Sequence, residues 1–184
     1  MNNEFEKKGY KLIELNLGYD DMIVEIFEYV IEFMEIQPNP LEIVSIPPID
    51  MYMEQLTSIV HRDYTTSIVE KETGLNLIPT YCWTRKYLQG SILGSHTDRD
   101  ASEISLTYCI SGPEWEIDMG DNTLITKKGN GVIYKGCEML HGRSKPSSGE
   151  VIQIFNHWVI SDGTRLASVY DDGKNKDFYW ENIQ

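Results

Sequence analysis

A chain of 184 residues, 41 % hydrophobic and 11 % aromatic, carries enough apolar material for a domain core without disulfide or metal staples, which excludes a disordered protein. Sixteen basic against 29 acidic residues give a net charge of -13, which repels phosphate backbones and anionic lipid, so neither nucleic acid nor membrane is the expected partner. Cys82, Cys109 and Cys137 form no CxxC pair and are odd in number; they read as reduced thiols of a cytoplasmic protein, and no apolar run marks a signal peptide or a membrane span.

In chain order, Met22, Ile23, Ile26, Phe27, Val30, Ile31, Phe33 and Met34 recur at helical steps behind Asp20 and Asp21, a capping pair. Gln37-Pro-Asn-Pro40 ends that helix. A second amphipathic helix is predicted from about Asp50 to Lys71, with Met53, Leu56, Ile59, Val60 and Ile68 on its apolar side and Gly74 as its stop. From Ile78 the pattern becomes short β-rich runs: Thr80 to Leu88, Glu103 to Ile110, Trp115 to Met119, Thr123 to Lys127, Val132 to Lys135 and Val151 to Val159. The expected fold is mainly β with flanking helices, a sandwich or barrel. No linker or repeat interrupts it, so one domain spans 1–184: helical support over 1–77, a β core over 78–160 and a C-terminal extension over 161–184. Phe178, Tyr179 and Trp180 in that extension could dock back onto the body.

Chemistry concentrates in Tyr87-Leu-Gln-Gly-Ser-Ile-Leu-Gly-Ser-His96-Thr-Asp98-Arg99 and in the later His141. His96 and Asp98, two apart at a strand end, project to one side. With His141 they offer two neutral imidazoles and one carboxylate, a facial set that leaves positions open on a ferrous ion. A lone HxD is common by chance, and His157 is an alternative third ligand. His61, on the second helix, reads as structural or exposed.

The aromatic strand and glycine-rich approach before His96, the β-run Glu103 to Ile110, and the stretch Lys128-Gly-Asn-Gly-Val-Ile-Tyr-Lys-Gly-Cys-Glu-Met-Leu-His141 together resemble the 2-oxoglutarate and Fe(II)-dependent oxygenases, nearest to the prolyl 4-hydroxylase-like branch, over about residues 78–159. The resemblance implies a double-stranded β-helix of the jelly-roll or cupin-like kind, buttressed by N-terminal helices. It further implies iron on His96, Asp98 and His141, with 2-oxoglutarate and O2 as co-substrates. The implied reaction is a hydroxylation coupled to conversion of 2-oxoglutarate to succinate, on a small molecule or a peptide such as peptidyl-proline. The branch places a basic residue about ten positions beyond the distal histidine to pair with the co-substrate's distal carboxylate, whereas position 151 is Val. Arg143 is the first substitute, Arg85 the second, and Lys145 lies nearby; Arg143 could equally be a solvated turn residue. Tyr87 stands where relatives have a co-substrate-binding tyrosine. Gln153, with Tyr108 and Asn156, could line the barrel, but either face of the strand from Val151 could point inward. Alternative readings are a nucleic-acid demethylating dioxygenase and a cupin-like metal barrel without oxygenase chemistry.

Overall fold

The computed structural model describes residues 4–51 and 56–170. The change of period read near Ile78 falls at Leu77, where the chain leaves its long helix for extended structure. Before it come α1 (Glu4–Lys8), β1 (Tyr10–Glu14), α2 (Asp20–Phe33), β2 (Ile49–Met51) and α3 (Leu56–Thr73). After it come β3 (Leu77–Tyr87), β4 (Leu93–His96), β5 (Ile104–Ser111), β6 (Trp115–Met119), β7 (Asn122–Thr126), β8 (Asn130–Tyr134), β9 (His141–Arg143) and β10 (Val151–Ile160).

The strands form two antiparallel sheets, the larger in the order β1-β8-β5-β10-β3-β2 and the smaller in the order β4-β9-β6-β7. They face one another as two layers and do not close into one continuous barrel among the described residues. Trp83, Tyr87, Val151 and Phe155 of the larger sheet pack against Leu93 and Trp115 of the smaller, so apolar burial between the layers holds them together.

Every residue of β10 from Val151 to Val159 is buried, because both faces of this central strand are covered. Ile152, Ile154 and Trp158 pack outward with Ile23, Phe27 and Val69 of the helices. Gln153, Phe155 and His157 face the smaller sheet. Both faces of β10 are thus buried, and the face carrying polar groups lines the interlayer cavity.

The helices back the larger sheet as expected, with several corrections. The segment 1–77 also supplies β1 and β2, each an edge strand of the larger sheet. Asp50 belongs to β2, and the second helix begins at Leu56 and ends at Thr73, with Gly74 at φ +77° closing it. Asp20 and Asp21 occupy the first turn of α2 behind Tyr19, which makes no side-chain cap; Asp20 instead accepts a 2.7 Å hydrogen bond from Tyr108 Oη, and Asp21 pairs with Lys128. Only Ile23 and Phe27 of the apolar residues assigned to α2 are fully buried, and Met22, Ile26, Phe33 and Met34 are exposed. Met53 and the aromatic trio Phe178, Tyr179 and Trp180 lie outside the described residues.

Candidate metal centre and anion pocket

β4 and β9 are short, but their pairing brings the chemistry together. His96 sits directly opposite His141 in the antiparallel ladder, and Leu93 opposite Arg143, so both imidazoles leave the same face of the smaller sheet. Asp98 follows β4 by two residues; its backbone N–H donates to Gly136 O at 2.8 Å, which turns the carboxylate toward the histidines. Position 136 tolerates no side chain, because a Cβ there would lie 2.5 Å from Asp98 Oδ2 and 2.8 Å from Ser105 Oγ.

The histidine tautomers follow from the backbone. His96 Nδ1 lies 2.9 Å from Gly94 O and His141 Nδ1 2.9 Å from Met139 O, and a carbonyl only accepts, so each Nδ1 carries a proton and Nε2 is the nitrogen each ring has left to offer a metal. Those nitrogens stand 3.7 and 3.6 Å from Asp98 Oδ1, and the three donor atoms lie within 4.8 Å of one another. An ion bonded at about 2.0–2.2 Å needs donors roughly 3–3.5 Å apart, so small side-chain adjustments would close this set around a first-row divalent ion. Burial lowers the His141 pKa and keeps its ring in the ligating neutral form.

The cavity beside this triad measures about 240 Å³ and lies between the layers. Arg143, two residues beyond His141 on β9 and therefore on the same strand face, projects into it; it is a strand residue, not one in a solvated turn. Its guanidinium is 1 % exposed, stacks 4.4 Å from the Trp115 ring, and donates through Nη1 to Trp115 O, Glu116 O and Thr126 Oγ1 at 3.2, 3.0 and 3.2 Å. Nη2 is buried without a hydrogen-bond acceptor, and no carboxylate pairs with Arg143 among the described residues. Burial pulls its pKa down to about 10, which still leaves a cation at neutral pH. An unmatched buried cation with one arm free is costly unless an anion meets it.

Arg85 and Lys145 are committed elsewhere. Arg85 lines the same cavity but is neutralised by Asp50, its Nε and Nη2 donating to the two carboxylate oxygens at 2.6 Å each. Lys145 is exposed and pairs with Glu116 at 2.8 Å. Tyr87 and Gln153 both line the cavity. Tyr87 Oη accepts from Arg85 Nη1 at 3.3 Å, and Gln153 Oε1 accepts from Thr107 Oγ1 at 2.9 Å. Tyr108 and Asn156 belong to the opposite side of the larger sheet, Tyr108 packing with the helices. His157 is no ligand of the triad: its ring is fully engaged by Trp83 and Ser105, and burial pushes its pKa down to about 4. His61 is completely buried on α3 and stacks on Tyr108 at 5.1 Å.

Sequence reasoning passed over Asp50, Ser105, Thr107, Trp115 and Tyr134, all of which shape this site. A β-strand with Tyr134 two residues before Gly136 carried a faint signal; the Asp50 pairing with Arg85 spans 35 positions and carried none.

No protein-family model matches the chain, and no curated protein matches it in sequence. Solved structures do match in fold. A Pseudomonas putida prolyl-4-hydroxylase aligns at TM-score 0.64 and 14 % identity, covering 84 % of this chain and 94 % of that one. A viral collagen prolyl hydroxylase from Paramecium bursaria Chlorella virus-1, solved as its 2-oxoglutarate complex, aligns at TM-score 0.60 and 18 % identity, covering 84 % and 97 %. The α-ketoglutarate-dependent epimerase SnoN of nogalamycin biosynthesis aligns at TM-score 0.66 and 10 % identity, covering 85 % and 79 %. The chain thus has the fold of prolyl hydroxylases and other 2-oxoglutarate–Fe(II) oxygenases.

Proposed function

We propose that the protein is a 2-oxoglutarate and Fe(II)-dependent dioxygenase that hydroxylates a small molecule or a peptide. The observation that carries this reading is Arg143: a buried, unpaired guanidinium with Nη2 free, on the same strand face as a bare imidazole of a two-histidine, one-carboxylate set. A metal site alone has no use for that cation, whereas a dianionic chelator needs one charge at the metal and a second deeper in the cavity.

In this reading His96, Asp98 and His141 hold the iron, and Arg143 receives the distal carboxylate of 2-oxoglutarate. Iron(II) and 2-oxoglutarate, when bound, supply O2 activation coupled to oxidative decarboxylation to succinate. Tyr87 and Gln153 add uncharged hydrogen bonds along the cavity wall, and Arg85 with Asp50 forms a rigid neutral floor. Trp115, flat against Arg143, keeps water from the guanidinium and so strengthens its attraction for the carboxylate. Phe155 and Trp83, stacked at 4.4 Å, form the apolar wall against which a substrate C–H would be held.

The prolyl hydroxylases among the similar structures support a peptidyl-proline substrate, and the epimerase among them supports a small molecule equally. A net charge of -13 disfavours nucleic acid. Among the described residues no helix is long and apolar enough to cross a membrane. The test is anaerobic titration with Fe(II) and 2-oxoglutarate, watched for the visible charge-transfer band of the chelate, followed by succinate measurement in air. Metal binding with neither band nor succinate would favour a cupin-like barrel without oxygenase chemistry.

A further inference from the structure

Behind Asp98 runs a line of hydrogen bonds whose direction is dictated by its first donor. The indole Nε1–H of Trp83 can only donate, and it lies 3.2 Å from His157 Nε2, so that nitrogen must accept. An imidazole with a bare Nε2 carries its proton on Nδ1, which stands 3.0 Å from Ser105 Oγ. Ser105 therefore receives a bond from His157, and its own hydrogen goes to Asp98 Oδ2 at 2.8 Å. Ser102 O, also within its reach, is uncharged and farther at 3.3 Å, and the Tyr134 hydroxyl beside Ser105 is likewise uncharged. Three adjacent strands of the larger sheet supply the line: Trp83 from β3, His157 from β10 and Ser105 from β5, with His157 and Ser105 directly paired in register. The His157 ring is 3 % exposed and lies 4.4 Å from the Tyr81 ring, which fixes its plane.

We propose that Trp83, His157 and Ser105 are positioning residues that aim Asp98 Oδ1 at the metal and so present the carboxylate through a single oxygen. With Oδ2 tied to Ser105, Oδ1 is the oxygen turned toward the two histidine Nε2 atoms, and offering both oxygens would cost the Ser105 bond its geometry. A two-oxygen carboxylate would take a fourth coordination position of six and leave two, one short of a chelating co-substrate plus O2; a one-oxygen carboxylate leaves three. The inference rests on the metal-centre reading above. It gives a role to the one cavity histidine that holds no place in the triad, and it makes that histidine's tautomer a working part of the site.

Two measurements test it. In metal-free protein, nitrogen-15 NMR of the His157 ring reads the tautomer directly, and the expected result is a protonated Nδ1 and a bare Nε2. Mn(II) affinity, followed by electron paramagnetic resonance, is then compared across wild type, Ser105→Ala, His157→Leu and His157→Asn. Without the Ser105 bond nothing holds Asp98 Oδ1 toward the two histidines, and this loss of aim should weaken Mn(II) about 10- to 100-fold in Ser105→Ala and His157→Leu. The Asn amide nitrogen stands where Nδ1 stands and can still donate to Ser105, so His157→Asn should stay within roughly threefold of wild type. A purely space-filling role would predict Leu to be tolerated as well as Asn. His157 found as the Nε2–H tautomer, or a folded His157→Leu binding Mn(II) like wild type, would overturn the relay while leaving the metal centre standing. Wild-type protein that fails to bind Mn(II) would instead remove the metal centre, and the positioning role with it.

Discussion

Replacing Arg143 by Met separates the anion pocket from everything else in the site. Met roughly conserves the apolar stem while removing the guanidinium that lies over Trp115, and no carboxylate among the described residues loses a partner, so the fold should survive. The local cost is the loss of three Nη1 bonds to Trp115 O, Glu116 O and Thr126 Oγ1, offset by relief from burying a cation. What the substitution removes from binding is the charge-assisted bond that Nη2 would make to a distal carboxylate, on the order of 1.5–3 kcal/mol, or about 10- to 150-fold in the KM for 2-oxoglutarate. Fe(II) affinity, assigned in this proposal to His96, Asp98 and His141, should move less than about threefold. Arg143→Lys should recover only part of the loss, since an ammonium cannot keep the three anchoring bonds and still present a second arm to the cavity. Succinate formation against 2-oxoglutarate concentration supplies the KM, and the anaerobic chelate titration supplies the binding constant. A KM unchanged in a folded Arg143→Met enzyme would refute the assignment and leave Tyr87 and Gln153 as the anchors.

Arg85→Met should behave in the opposite way, destabilising the protein by roughly 3–5 kcal/mol in urea melts because Asp50 is left buried and unpaired, and Asp50→Asn combined with Arg85→Met should recover much of that; a stable single variant with a raised KM would contradict it. Gly136→Ala should abolish stoichiometric metal binding, measured by titration, because the new Cβ falls 2.5 Å from Asp98 Oδ2 and 2.1 Å from Ser102 O; undiminished binding would show that the Asp98 loop gives way freely. His61 and His157 both have folded pKa values pushed down to about 4 by burial, against about 6.5 in the unfolded chain. Between those values the unfolded chain binds more protons, so the contribution of these two histidines to metal-free stability should be flat above pH 6.5, fall as pH drops toward 4, and level off below. Each histidine contributes up to roughly 3 kcal/mol, and a denaturation series without that slope would contradict their burial as neutral rings.

The parts of this fold that were legible in the sequence are those whose period is long enough to read. The runs at Trp115, Val151 and Thr80 are rich in β-branched and aromatic residues over five or more positions and are placed to within a few positions, and the His96–Asp98 spacing with a later His141 points at the triad. β2, β4 and β9 have three or four residues each, below what alternation can reveal, yet β4 and β9 carry His96, His141 and Arg143. β1 is five residues wedged between helices, and its place at the sheet edge depends on β8, more than a hundred residues away. The choice between Arg143 and Arg85 turned on whether an acidic partner lay opposite each, a fact of tertiary pairing that no local pattern encodes. The inward face of β10 was undecidable for a related reason: a strand covered on both sides shows no polarity contrast to read.

The direct pairing of His96 with His141 also bears on how the molecule comes apart. β4 is the terminal strand of the smaller sheet, held by β9 on one side and, on the other, by a few contacts from the segment around Val44: Gly94 N–H to Ile43 O at 2.6 Å, and Ser45 N–H to Ile92 O at 3.0 Å. Such an edge is where fraying starts. An ion shared by residues 96 and 141 would act as a removable cross-link over the whole β5-to-β8 excursion, restricting the unfolded chain as a disulfide would, yet reversible with a chelator. Loading the centre should therefore slow amide exchange at Gly94 to His96 and protect the chain from proteases well before it changes the rest of the sheet, so an ion held there would double as the clasp on its own binding strand.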